Sequence, residues 1–192
     1  MVILRGLVGL LLLLITLLGS ATIKANPPVW QALQEGGQVI LMRHALAPGV
    51  GDPDNFERGN CATQRNLSDQ GRTQAAAIGE AFRVRSIAID TLYSSHWCRA
   101  LETAELMALG DVQTVGWLDS FFIASERYAR EQRTREARQQ ILDWQGPGNL
   151  LLVTHQVNIT ALAGRGVASG DMVVVRPDAG ELAVIGRLEG VH

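Results

Sequence analysis

Two histidines and two arginines stand out in this sequence by what surrounds them. His44 directly follows Arg43 and closes the apolar run Gln38 to Met42; Arg99 comes shortly after Ser94-Ser95; His155 closes the run Leu150 to Thr154. A neutral imidazole is a competent nucleophile, its unperturbed pKa being about 6.5. A flanking guanidinium opposes protonation of that ring and grips phosphate oxygens with two parallel N–H groups. Attack on a phosphate monoester without a metal needs such a nucleophile, cations around the equatorial oxygens and a proton for the leaving alkoxide. An Arg-His dipeptide by itself is weak support for this chemistry. The same residue types at separate strand ends are stronger support.

The elements that must position them can be read from the spacing. Val29 to Gln34 reads as a short helix with Pro27 and Pro28 near its start. Gln38 to Met42 has the length and apolarity of a buried parallel strand. Ala47 to Arg65 is a polar loop rich in Gly, Asp and Pro, longer than a simple connection requires. Ser68 suits a helix N-cap, with Asp69 in the first turn and an apolar stripe through Ala75, Ile78, Gly79 and Phe82 as far as Arg83. Strands follow at Ile87 to Tyr93, Val112 to Trp117 and Leu150 to Thr154, and closing strands at Met172 to Arg176 and Glu181 to Arg187. Helices are expected over Trp97 to Leu109, Ser125 to Trp144 and from His155 to about Ala163. This alternation predicts a three-layer α/β fold with a mainly parallel central sheet covered on both faces. In such sheets ligands bind beyond the carboxyl ends of the strands, where Arg43-His44, Ser94-Ser95 and His155 all fall.

The combined pattern resembles the histidine phosphatase superfamily, the phosphoglycerate-mutase-like group. Arg43-His44-Ala45 is similar to its Arg-His-Gly signature, and Leu67-Ser68-Asp69-Gln70-Gly71 with Gln74-Ala75 to its Leu-Ser/Thr-x-x-Gly…Gln-Ala helix start. Ser94-Ser95, Arg99-Ala100 and Glu102-Thr103-Ala104 match its Ser-Ser-x-x-x-Arg-Ala-x-Glu-Thr-Ala segment, and Val153-Thr154-His155 its strand ending in a second histidine. The resemblance implies that His44 attacks phosphorus and becomes a transient phosphohistidine. It implies that Arg43, Arg99 and His155 bind the phosphoryl oxygens, with no metal and no cofactor. Structural readings of Arg99 (a helix surface residue) and His155 (a cap or core histidine) stand against these roles.

Two departures from the family pattern matter. Ala45 replaces Gly, which is tolerable only if the position does not need a positive φ. The residue after the second His is Gln156, where some relatives carry an acidic proton donor, so Asp119 becomes the candidate acid, against a structural role, with Glu126 in reserve. Arg65 and Asn66 could reach a bound phosphate from the long loop, though Arg65 reads equally as a solvated loop residue. His96 and His192 receive no role. The absence of a sizeable insertion after the first strand predicts an open pocket.

The N-terminus differs in kind from the rest. Arg5, an aliphatic run from Leu7 to Leu18 and the small residues Gly19-Ser20-Ala21 describe a secretory signal. Residues 1–25 are therefore expected to be a signal, cut after Ala21 or Ala25, with an uncleaved anchor as the alternative and 26–192 as the phosphatase domain. Cutting after Ala25 removes Arg5 and Lys24 from 17 basic residues and none of the 19 acidic ones. The mature chain is then mildly acidic with no basic run for nucleic acid, and every remaining side-chain cation except His is Arg. In an oxidising exported compartment, periplasmic or secreted, Cys61 and Cys98 are a natural disulfide pair, against two reduced thiols. Such a bridge would tether the long loop beside the pocket. The expected substrate is a phosphorylated small molecule or an envelope glycan or lipid, with no membrane span after cleavage. A protein phosphohistidine phosphatase and a non-catalytic module binding phosphorylated ligands are the alternatives.

Overall fold

A computed structural model describes residues 26–122 and 127–190. The expected signal, Glu126 and His192 lie outside the described residues. Six strands form one sheet: β1 (Val39–Arg43), β2 (Ile89–Ser94), β3 (Val112–Thr114), β4 (Asn149–Thr154), β5 (Met172–Asp178) and β6 (Glu181–Leu188). Five α-helices accompany them: α1 (Pro27–Glu35), α2 (Asp69–Arg83), α3 (Cys98–Met107), α4 (Arg127–Leu142) and α5 (Gln156–Ala163). The strand order is β3-β2-β4-β1-β5-β6. The first four strands in chain order run parallel; β5 is antiparallel to β1, and β6 to β5.

The two-fold period of the strands sorts their side chains between two apolar layers. Ile40, Met42, Leu151, Val153, Met172 and Val174 pack with residues of α1, α2 and α3. Val39, Leu41, Leu150, Leu152, Val173 and Val175 pack with Ala137 and Ile141 of α4 and Ile159 and Leu162 of α5. Both faces are thus covered, which is why β1 and β4 are apolar without alternation. This is the three-layer α/β arrangement read from the sequence.

Helix α2 has the expected limits. Ser68 Oγ accepts the Gly71 N–H at 3.1 Å, Asp69 lies in the first turn and Arg83 in the last, all of which favour a helix here. The third strand is shorter than the expected Val112 to Trp117. It stops at Thr114, and Gly116–Leu118 form a 3-10 turn closed by bonds from Leu118 N to Val115 O and Asp119 N to Gly116 O. That turn carries Asp119 back to the rim. Strands β5 and β6 are joined by Ala179-Gly180, both at positive φ (48° and 82°). A two-residue connection of this kind can only make an antiparallel hairpin. Among the described residues no helix is long and apolar enough to cross a membrane.

Candidate active site

Parallel pairing brings the carboxyl ends of β1, β4 and β2 to one rim. Arg43 is in register with Thr154, and Ser94 with Val153. The next residues continue the ladder: His44 N–H donates to Thr154 O and Ser95 N–H to Val153 O, each at 3.0 Å. The His44 and His155 rings consequently meet edge to face, their centroids 5.5 Å apart. Arg99 comes from the first turn of α3. Relative exposures are only 2% for His44, 3% for Arg99, 4% for His155 and 1% for Asp119. Arg99 is therefore no surface helix residue. His155 occupies the N-cap of α5, but its side chain makes no cap bond.

His44 is held in one tautomer with an unprotonated ring nitrogen. Its Nδ1 lies 2.7 Å from Ala45 O, a partner that can only accept, so the proton belongs on Nδ1 and the lone pair on Nε2. Burial pushes its pKa down to about 3; Arg99, Arg43 and Arg65 push the same way, against the raising effect of the Ala45 carbonyl. His155 is held well below its ordinary value, first by burial and then by His44 and the same arginines. Both rings are neutral at physiological pH. An unfolded chain binds a proton on each below about pH 6.5, whereas the folded one does not, so stability falls as pH drops from 6.5 towards 3. Urea unfolding at pH 5 should give about 2 kcal/mol less than at pH 7 through His44 alone. His44→Ala should lose that part of the pH dependence; an unchanged dependence would contradict the assignment.

The cations are arranged with donors to spare. Arg43 Nη1 donates to Val167 O at 2.8 Å, yet its Nε is buried without a partner among the described residues. Arg99 Nε is likewise buried and unpartnered. An unmet buried guanidinium donor is costly unless an anion completes it. Ala45 is fully buried and does not adopt a positive φ, so replacing the family glycine strains nothing.

Asp119 is enclosed by donors. Its Oδ1 accepts from His96 N–H at 2.9 Å and faces His96 Nδ1 at 3.0 Å and Ser95 Oγ at 3.4 Å, while Arg58 lies 3.3 Å from Oδ2. Ser95 Oγ is also 2.8 Å from His155 Nε2, so one hydroxyl separates the carboxylate from the second histidine.

The pocket is not open, contrary to the expectation from sequence. The loop between β1 and α2 reaches into it with Asp52, Arg58 and Arg65, and Phe56 stacks on Trp97 with centroids 5.1 Å apart. Arg65 is no solvated loop residue. Its guanidinium donates to Gly51 O and Ala47 O, and burial with neighbouring Arg99 lowers its pKa to about 10. Asn66 instead donates its amide to Cys61 O at 2.7 Å. Cys61 and Cys98 are bonded, which ties the loop to the start of α3. Sequence reasoning missed Asp52 and His96. His96 carried a signal, since it extends the β2 strand end by one residue beyond Ser95; Asp52 carried none.

Residues 39–119 match the model of the histidine phosphatase superfamily (branch 1). That span holds Arg43, His44, Arg65, Arg99 and Asp119 but stops before His155, whose place comes from the fold. No curated protein matches the chain by sequence. Among solved structures it is similar to the protein histidine phosphatase SixA complexed with tungstate, at 12% identity and a TM-score of 0.56, covering 79% of this chain and 96% of that one. It is also similar to phosphoserine phosphatase from Entamoeba histolytica, at 14% identity and 0.58, over 78% and 95%. A third is the mycobacterial glucosyl-3-phosphoglycerate phosphatase complexed with VO3, at 17% identity and 0.54, over 81% and 98%. Residues 39–119 thus match the histidine phosphatase superfamily, and the chain shares the fold of these phosphatases, its sheet bringing His155 back beside His44.

Proposed function

We propose that this protein hydrolyses phosphate monoesters without a metal, through a phosphohistidine formed on His44. The observation that carries the reading is the pairing of a neutral, tautomer-fixed His44 with two buried guanidinium Nε donors, on Arg43 and Arg99, that lack partners among the described residues. A phosphoryl group meets that need with charge-assisted bonds. His44 Nε2 forms a bond to phosphorus as the ester P–O bond breaks; Arg43, Arg99, Arg65 and His155 face the equatorial oxygens as their charge redistributes. Asp119, in its protonated form, supplies the proton to the leaving oxygen. It then takes one from the water that attacks the phosphohistidine, which frees phosphate and restores His44.

The Cys61–Cys98 bond fits an oxidising compartment and so supports export to the periplasm or medium. There an envelope phosphosugar is the substrate class we favour. The nearly inaccessible His44 suits a phosphate carried on a slim tether rather than one lying flat on a protein surface. Rapid acid-free quenching with a labelled monoester should trap the phosphoryl group on His44, with chelator present throughout. Turnover without any His44 label, or turnover abolished by the chelator, would overturn the mechanism. Binding without turnover would turn the protein into a phosphate-binding module.

A further inference from the structure

The loop that covers the pocket puts a carboxylate against the arginine expected to hold phosphate. Asp52 Oδ1 accepts from Arg99 Nη1 at 2.6 Å and Oδ2 from Arg99 Nη2 at 3.2 Å. The same two oxygens accept the Arg65 backbone N–H at 3.1 Å and the Trp97 indole N–H at 2.9 Å. Burial alone would raise the pKa of Asp52, but the bonds from Arg99 and Trp97 outweigh it and hold the pKa below its ordinary value. The carboxylate is therefore ionised and fully engaged.

A guanidinium has two edges able to bind an oxyanion in two-pronged fashion: the end formed by Nη1 and Nη2, and the side formed by Nε and Nη2. Asp52 takes the end. Arg65 O, 3.3 Å from Nη1, takes a further donor. What remains unmet among the described residues is Nε. Arg99 is thus fixed in one orientation with its side edge left for a ligand.

Resting on the phosphatase reading above, we infer that Asp52 is a positioning residue. It clamps the end of Arg99 so that the Nε edge is preset for the phosphoryl oxygens, and it makes the covering loop part of the phosphate site. Charge separates this role from that of a stand-in anion that substrate must expel. A carboxylate beside a phosphate dianion repels it. If Asp52 merely blocked the site, removing its charge would tighten phosphate binding; if it positions Arg99, removal weakens binding in spite of the charge gained.

The test measures inorganic phosphate binding by calorimetry and kcat and KM with an aryl phosphate, on the full chain with its disulfide intact. Asp52→Asn should weaken phosphate binding and lower kcat/KM by about 10- to 100-fold, the scale of a misplaced binding group. Asp52→Glu, which keeps the charge and the two acceptors, should recover part of the loss. In an Arg99→Ala background Asp52→Asn should cost far less than in the wild type, because only its bonds to the Arg65 and Trp97 N–H groups are left to weaken. Tighter phosphate binding by Asp52→Asn would overturn the inference, and so would an equal loss in the Arg99→Ala background, which would mark a loop-folding role. Wild-type protein that neither binds phosphate nor turns over the ester would sink the phosphatase reading, and this assignment with it.

Discussion

His44→Ala is expected to lower kcat/KM for phosphate monoesters by roughly 10^4-fold or more while leaving phosphate binding largely in place. The imidazole Nε2 is the only atom assigned to bond phosphorus, so its loss removes a reaction step rather than a contact. The guanidinium donors of Arg43 and Arg99 are held by Val167 O and by Asp52, not by the His44 ring, and stay in position. Asp119→Asn should behave differently. It should cost roughly 100-fold for an alkyl phosphate, whose alkoxide needs a proton, and far less for p-nitrophenyl phosphate, whose phenolate leaves unaided. Steady-state kinetics on the two esters separates the roles. A His44→Ala protein that still turns over substrate would remove the nucleophile assignment, and an Asp119→Asn loss equal for both esters would remove the acid assignment.

How much of this was legible beforehand follows from which residues are tied to periodic elements. His44, Ser95 and His155 each end an apolar strand, and a parallel sheet leaves those ends nowhere to go but one rim. Their convergence could therefore be read without coordinates. Helix α2 was legible because its start is fixed locally, by the Ser68 hydroxyl accepting the Gly71 N–H three residues on. The loop after β1 was not legible. It has no hydrophobic period, and its path is set by Asp52 meeting Arg99 and Trp97 and by Arg65 meeting Gly51 and Ala47, contacts between segments far apart in sequence. A polar Gly-Asp-Pro stretch looks the same whether it hangs in solvent or folds over a pocket. That is why the sequence suggested an open site and a solvated Arg65, and why the partner of Arg99 went unnoticed. The disulfide pair could be proposed from compartment chemistry, but its effect on the loop needed the fold.

Gly71→Ala should damage both stability and turnover, although Gly71 touches no substrate group. Gly71 sits in the first turn of α2, where the helix presses against the chain two residues past His44. Leu46 N–H donates to Gln74 Oε1 at 2.9 Å, and Leu46 O accepts from Ser68 N–H at 3.1 Å. A Cβ on Gly71 would lie well inside contact distance of the Leu46 carbonyl oxygen and 2.9 Å from its carbon. That obstacle is backbone, not a side chain that can swing away. Either α2 lifts, which breaks the Leu46 bonds, or Leu46 recedes and pulls on Ala45, whose carbonyl fixes the His44 tautomer at 2.7 Å. Overpacking of this kind costs about 1–3 kcal/mol, and displacing the nucleophile by about 1 Å costs about 100-fold in rate. Gly116→Ala is the matched control, since nothing lies within 4 Å of its Cβ position and its φ is not positive. Its stability should change by no more than about 0.5 kcal/mol. Urea unfolding of both variants, with kcat/KM of Gly71→Ala measured well below its midpoint, gives the answer. Equal stability of the two would show that α2 does not press on the Leu46 backbone, and full activity in a destabilised Gly71→Ala would show that this pressure is not passed on to His44.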